Sequence, residues 1–396
     1  MSSQRPDDAR SRLLSLFETA LAAVRGDRLA ATALQGSNAR HVIALGKAAE
    51  ALAYGAWQAL GDQLASGFLA LPHGYETGEL PREAPFERHI GAHPIPDASS
   101  LAAGSALARY TAACPDREPV AVLLSGGASA CLEVPAEGVD LAVLRRVNDW
   151  ALRSGLAIAE INAVRACLSR LKGGGLARWL QHCEIHGLVL SDVLEGGERW
   201  VGGSPLVPVS ESLPPLPDWL QRIVDHSPRM TPARGVPLKR LAGNAEAVQA
   251  VCGAGAAHRG TLSGDTDAAG EKLAAFIEQA SPGLHVWGAE TTIKLPRSPG
   301  AGGRCRHLAL AVARRLAGRG DWTMLAAGSD GWDGTDEVAG ACVDGYTIAR
   351  GEERGRNAID ALRHADSGGF FSGSDEMIVT GPTGTNVNDL VIVLKR

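Results

Sequence analysis

At 396 residues, with 45% hydrophobic side chains, the chain is long enough for two domains, each with a real core. A net charge of −5 excludes a general nucleic-acid binder, which needs a basic face. The 48 glycines follow no period, which excludes collagen-like and repeat architectures.

The N-terminal stretch is too acidic, and lacks the compact apolar core, for a signal peptide. Leu13, Leu14, Leu16, Phe17, Ala20, Leu21 and Val24 instead share one face of an amphipathic helix. His41 to Leu45 reads as the first strand, and Ala48 to Leu60 as the helix after it. Lys47 opens that helix, where the dipole disfavours a cation. It is either a solvated side chain or a partner for a nearby anion. The spacing is not that of a P-loop. Phe68 to Leu71 reads as a short strand. His89 and His93 have helical spacing, but Pro94 and Pro96 argue against a helical metal site, and a turn or cleft wall fits better. Leu101 to Ala113 reads as helix.

Val120 to Leu124 is an unbroken apolar run, as in a strand buried on both faces of a parallel sheet. Ser125, Gly126, Gly127, Ala128 and Ser129 follow it. Small residues and free backbone N–H groups at such a strand end suit a ligand loop or a tight turn. Leu141 to Leu180 is mainly helical and carries Asn162, Arg165 and Ser169 among apolar residues. Lys172, Gly173, Gly174 and Gly175 interrupt it. A lysine beside three glycines suits either a phosphate nest or a flexible helix–helix turn. His186 to Leu190 is the next strand. Asp192 leaves its C-terminal end, where a general base, a metal-holding carboxylate or an N-cap is expected. The glycine-rich run 195–204 reads as a loop, and the stiff, proline-rich run 205–217 as a domain linker. Helices are expected near Trp219 and over 243–257.

The second half reads as a weaker repeat of the same architecture. His285 to Gly288 and Thr291 to Leu295 read as short strands, and Leu308 to Leu316 as a helix. Arg304 sits beside glycines at that helix start, again a cation where an anion could lie. Trp322 to Ala327 is a strand. Asp330, Asp333 and Asp336 follow it in a turn that suits a cation loop or a structured turn, without EF-hand spacing. Glu376 to Val379 and Asp389 to Leu394 are the last strands. Seven scattered cysteines without a CxxC pair point to reduced thiols in a cytoplasmic protein. No apolar run reaches bilayer length.

In this order, LLSGGASA (123–130), NAVRACLSRLKGGGLA (162–177), LVLSDV (188–193), GAGGR (300–304), GSDGWDGT (328–335) and TGPTGTNVNDLVIVL (380–394) resemble the bacterial glycerate 2-kinases with a C-terminal MOFRL domain. HPIPD and the strand-following Gly46-Lys47 match as well. The resemblance implies an α/β protein in which a larger Rossmann-like three-layer domain, residues 1–236, faces a smaller α/β MOFRL domain, residues 237–396, across a cleft. It implies transfer of the ATP γ-phosphoryl group to the 2-hydroxyl of D-glycerate, with ATP and Mg2+ as cofactors and no nucleic-acid or membrane partner. A homodimer is compatible with it.

The family's catalytic residues map onto Lys47, Asp192 and Arg304, and Asp192 is also the candidate metal ligand. Ser125, Gly126, Gly127, Ser129, Asn162, Arg165, Ser169, Lys172, Gly173 and Gly174 are the candidates for holding phosphate or acid. Two departures stand out. The usual PGD after SDV is missing, and the usual GGRNQE reads GGRCRH, with Cys305, Arg306 and His307. An NAD(P)H-dependent hydroxypyruvate reductase is an alternative, against which stands the absence of any GxGxxG fingerprint. A non-catalytic sugar-acid-binding protein is the other.

Overall fold

The computed structural model describes residues 6–194, 197–227, 235–334 and 336–396. Its elements form two compact units, Gly26–Ala242 and a discontinuous one made of Met1–Arg25 with Gly243–Arg396. The opening helix, α1 (Pro6–Ala23), therefore belongs with the C-terminal elements and not with the sheet that follows it.

The continuous unit comprises α2 (Gly26–Leu34), β1 (His41–Leu45), α3 (Ala49–Leu60), β2 (Ser66–Pro72), β3 (Phe86–Gly91), α4 (Ala98–Ala113) and β4 (Pro119–Leu124). After them come α5 (Ala128–Cys131), α6 (Leu141–Ser154), α7 (Ile158–Cys167), α8 (Gly175–Trp179), β5 (Glu184–Leu190), α9 (Asp218–His226) and β6 (Leu238–Ala242). All six strands run parallel, in the order β3-β2-β1-β4-β5-β6. This is the doubly wound, Rossmann-like arrangement, and its strand order reverses between β1 and β4.

Parallel strands need helical crossovers, so both sheet faces must be covered. Ile43, Leu45, Phe68, Val122 and Leu124 form one core with Leu107 of α4 and Leu176 of α8. Val42, Ala44, Ala121 and Leu123 alternate with them and are fully buried as well. Helix α3 packs on β1, β2 and β4. Small residues at Ala49, Ala53 and Ala56 let it approach closely.

The 205–217 run is not a linker, because it lies inside this unit. Leu206 is fully buried in the same core, and its carbonyl accepts from Val236 N at 3.1 Å. The chain passes to the other unit after Ala242 instead, six residues beyond the boundary expected from sequence.

The discontinuous unit continues with α10 (Asn244–Gly253), β7 (Ala257–Asp265), α11 (Thr266–Gln279), β8 (Gly283–Thr292), α12 (Arg304–Arg315), β9 (Trp322–Gly328), β10 (Gly340–Asp344), β11 (Met377–Ile378) and β12 (Asp389–Lys395). Its sheet has the order β11-β10-β9-β12-β8-β7. Only β7 and β8 pair in parallel, and the other neighbours are antiparallel. The expected repeat of the first architecture is thus a mixed sheet. The two short strands expected over 285–295 are the single strand β8.

Strand β12 lies between β8 and β9 and is buried along its whole length. Helix α1 packs on α10, β9 and β12 through Leu13, Phe17 and Ala20, the face expected from its periodicity. Arg10 donates to the carbonyls of Glu376 and Met377 at 3.5 and 3.2 Å, which ties α1 to the β11 edge.

None of the seven cysteines forms a disulfide. Burial pushes the Cys131 thiol up to about 12 and Cys114 up to about 11, so both stay protonated near neutral pH. Among the described residues no helix is long and apolar enough to cross a membrane.

Candidate functional site

In open parallel sheets the ligand crevice forms beyond the C-terminal strand ends, where the strand order reverses. Here that place holds the loops after β1 and β4. Both are among the stretches that stand out in the sequence. Ser125 staples the two. Its hydroxyl donates to Leu45 O at 3.1 Å and accepts from Ala48 N at 3.1 Å, and it is fully buried. Lys47 N donates to Gly126 O at 2.8 Å. Ser125 and Gly126 therefore build the junction.

Gly127 is the contact point. Its φ of +87° suits glycine, and a Cβ there would lie 2.8 Å from Lys47 Cγ. The Lys47 ammonium stands 5.1 Å from the ring centre of Tyr75, within cation–π range. Tyr75 in turn meets the His93 ring edge-on at 6.4 Å. The loop that carries Tyr75 is pinned by buried Glu50 on α3, which accepts from Thr77 N at 2.5 Å and Gly78 N at 3.1 Å.

Beside Gly127 opens a cavity of 260 Å³. Its polar lining is His93, Ser129, Glu133, Asn148, Arg165 and Lys172, and Leu144, Val147 and Leu168 supply much of its apolar wall. Four of the sequence candidates, Gly127, Ser129, Arg165 and Lys172, meet here. Lys172 is buried and its ammonium pairs with the equally buried Glu133 carboxylate. Ser169 donates to the same carboxylate at 2.5 Å, so it supports the pair from behind. Arg165 Nη2 donates to Asn148 Oδ1 at 2.8 Å. Burial pulls the Arg165 guanidinium below its ordinary value, and nearby Glu133 works the other way. One carboxylate thus faces two cations, and the lining carries an excess positive charge.

The remaining candidates stand elsewhere. Asn162 is buried on α7 and does not line the cavity. The backbone N–H groups of Gly173 and Gly174 are donated to Gly203 O at 3.3 Å and Ser204 O at 2.8 Å. The Lys172–Gly175 turn therefore spends its donors within the protein and not as a phosphate nest. Asp192 is half-buried just beyond β5 and is no cavity-lining residue. Gly197, and not Asp192, occupies the N-cap position of the short turn Glu198–Gly203. Glu195 and Gly196, the start of the expected glycine-rich loop, lie outside the described residues.

In the other unit Arg304 opens α12 and grips Asp389, Nε to Oδ2 at 2.5 Å and Nη2 to Oδ1 at 3.1 Å. The anion expected beside it is thus a residue of the same unit. Asn388 Oδ1 takes a further Nη2 contact at 3.3 Å. Burial opposes the charge on Arg304, but Asp389 outweighs it and raises the guanidinium above its ordinary value.

The altered segment 305–307 has its own structural logic. The carboxylate of Asp333 accepts from Cys305 N at 2.8 Å and Arg306 N at 2.9 Å, capping α12 from another loop. It also accepts from Arg306 Nε at 3.0 Å. Arg306 is fully buried and reaches Asp336 at 2.8 Å as well. His307 pairs with Asp267 at 3.1 Å. The turn with Asp330, Asp333 and Asp336 is therefore a structured one. Thr335 lies outside the described residues.

Among the described residues, no three His, Cys, Asp or Glu side chains gather to hold a metal ion. His89 pairs with Glu87 at 2.8 Å, away from any such set. Glu133, Asn148 and Tyr75 escaped the sequence reading, since none stands directly at the end of a strand-length apolar run.

A domain family described as a domain of unknown function, DUF4147, matches residues 12–224, and the MOFRL family matches residues 283–389. The chain is 30% identical over 422 residues to a D-glycerate 2-kinase of Thermotoga maritima, covering 98% of this chain and 99% of that one. It is 32% identical over 389 residues to an Agrobacterium vitis protein that carries a hydroxypyruvate reductase name, covering 89% of this chain and 98% of that one. The crystal structure of a glycerate kinase from Thermotoga maritima matches with a TM-score of 0.81 at 28% identity, covering 99% of this chain and all of that one.

Proposed function

The chain belongs to the glycerate 2-kinase family, and from that premise we propose that it transfers the γ-phosphoryl group of ATP to the 2-hydroxyl of D-glycerate, giving 2-phosphoglycerate and ADP. The observation that carries this reading onto particular residues is the buried charge excess at the cavity. Lys172 pairs with Glu133, half-buried Arg165 stands near the same carboxylate, and all three line the cavity at the reversal point of a parallel sheet. Such a place favours an anion, as an acid substrate or a phosphate is.

Phosphoryl transfer asks a protein mainly for positioning and charge stabilisation. Lys47 supplies positive charge beside Gly127 to the phosphoryl group in transit. Asp192 either accepts the proton of the attacking hydroxyl or holds the metal ion. Within its own unit, Arg304 offers an anion the part of its guanidinium that Asp389 does not take. Magnesium that travels with ATP draws most of its ligands from phosphate and water, so a single carboxylate suffices from the protein. Asp192 is the residue that fits this need, and the ion would neutralise phosphate charge. Free thiols at all seven cysteines support a cytoplasmic location.

One relative carries a reductase name, but this chain has no GxGxxG segment, so the kinase reading stands above it. A coupled assay of ADP release over a panel of short hydroxy acids tests the proposal, with the phosphorylated carbon identified by phosphorus NMR. Lys47→Ala is expected to lose about 10²–10³ in turnover while staying folded. Absence of ADP release with every acid would overturn the reaction, and normal turnover of the variant would overturn the site.

A further inference from the structure

Building on the kinase reading, we infer that the cavity beside Gly127 is the organic-acid subsite, with Arg165 as the carboxylate clamp and the nucleotide held elsewhere. Three observations carry the assignment. The first is size. At 260 Å³ the cavity lies just below the roughly 300–1,000 Å³ of pockets that enclose drug-sized ligands, which is room enough for a three-carbon acid.

Charge is the second. The lining holds Glu133 against Lys172 and Arg165, an excess of one positive charge, which matches a monoanion. A triphosphate carries several negative charges and would stay largely uncompensated here. The third is orientation. Asn148 accepts from Arg165 Nη2 at 2.8 Å and fixes the plane of the guanidinium, as a two-pronged grip on a carboxylate requires. Lys172 is committed to Glu133, so Arg165 is the cation left to the ligand.

The geometry also orders the substrate. With its carboxylate on Arg165, a short 2-hydroxy acid extends toward Ser129 and Gly127, which line the same cavity. Lys47 lies against Gly127, so the hydroxyl end is the end that approaches it. Leu144, Val147 and Leu168 supply apolar walls that offer a second charged group no partner.

Calorimetric titration of the full chain with D-glycerate, glycerol, inorganic phosphate and ATP tests this. D-glycerate is expected to bind the wild type without nucleotide, and glycerol, which lacks the carboxylate, is expected not to bind. Arg165→Met is expected to weaken D-glycerate about 10- to 100-fold and to leave ATP within about two-fold. Arg165→Lys, which keeps the charge but not the fork, is expected to recover only part of the loss. In the wild type, D-glycerate and not ATP is expected to shield Arg165 from phenylglyoxal, a readout that needs no variant to fold.

Parallel weakening of ATP in Arg165→Met, or phosphate competing as well as D-glycerate, would make this a phosphate site and overturn the assignment. Unchanged D-glycerate affinity in that variant would overturn it too. Arg165-dependent acid binding without any ADP release would leave the subsite standing and remove the reaction. ADP release with an altered KM for ATP alone would do the reverse.

Discussion

Gly127 and Lys47 fit together because one of them has no side chain: a Cβ on Gly127 would lie 2.8 Å from Lys47 Cγ. That carbon lies near the root of the lysine side chain, so Gly127→Ala is expected to fold only with Lys47 swung into another rotamer. The substitution also meets a φ of +87°, which costs about 1–2 kcal/mol for a residue with a Cβ. The expected result is a modest drop in melting temperature together with a fall in ADP release of more than about ten-fold, since the displaced ammonium no longer meets the phosphoryl group. Thermal unfolding and the coupled assay, run on the same sample, check it. Wild-type turnover would show that the place of Lys47 does not matter.

The Glu133 carboxylate faces two cations, and this makes its removal and the removal of Lys172 unequal. Glu133→Gln leaves buried Lys172 unpaired and half-buried Arg165 without its nearby carboxylate, and the expected cost is about 3–5 kcal/mol. Lys172→Met leaves Glu133 still facing Arg165, so a smaller loss is expected. Urea unfolding of the two variants gives the order directly. An equal cost, or the reverse order, would mean that Arg165 does not help to balance Glu133.

Asp333 does two jobs at the start of α12, capping two backbone N–H groups and neutralising buried Arg306. Asp333→Asn keeps the size and removes the charge. It is expected to cost about 3 kcal/mol or more, because Arg306 then relies on half-buried Asp336 alone. Melting of the purified variant measures this. A change below about 1 kcal/mol would mean that Asp336 suffices.

Acid weakens the fold through two histidines. Burial pulls His41 in one unit and His285 in the other below their ordinary value. Above about pH 6.5 both are neutral, folded or unfolded, and their contribution is complete. As pH falls below that, the unfolded chain takes up protons that the folded chain resists, so stability declines. The urea midpoint is expected to be lower at pH 5.5 than at pH 7.5, and His41→Gln and His285→Gln should each flatten part of that slope. A midpoint that rises on acidification would contradict the burial argument.

Strands buried on both faces could be read from the chain itself. β1, β4, β5 and β12 are apolar runs with a sharp end, and the loops after β1 and β4 stood out for their glycines. β7 did not, because it is an edge strand whose residues are mostly exposed, and AHRGTLSGD carries no apolar pattern. The run 205–217 looked like a linker because proline stiffens buried and exposed chain alike, and only packing shows that Leu206 is in the core. The periodicity of α1 revealed its apolar face but could not say which of two cores receives it. At the site, Arg165 and Lys172 were visible as cations among small and apolar residues. Their partner Glu133 lies 39 positions from Lys172, and no local pattern links the two.

The interrupted layout of the second unit bears on how the nascent chain matures. Helix α1 leaves the ribosome early, yet the strands it rests on, β9 and β12, are synthesised after the whole of Gly26–Ala242. That inserted unit can close by itself in the meantime, since all its strands are already available. For that interval the apolar face of α1 has no home. Helix α10 supplies part of the seat for α1 first, and β12, slotting between β8 and β9, completes both the sheet and that seat.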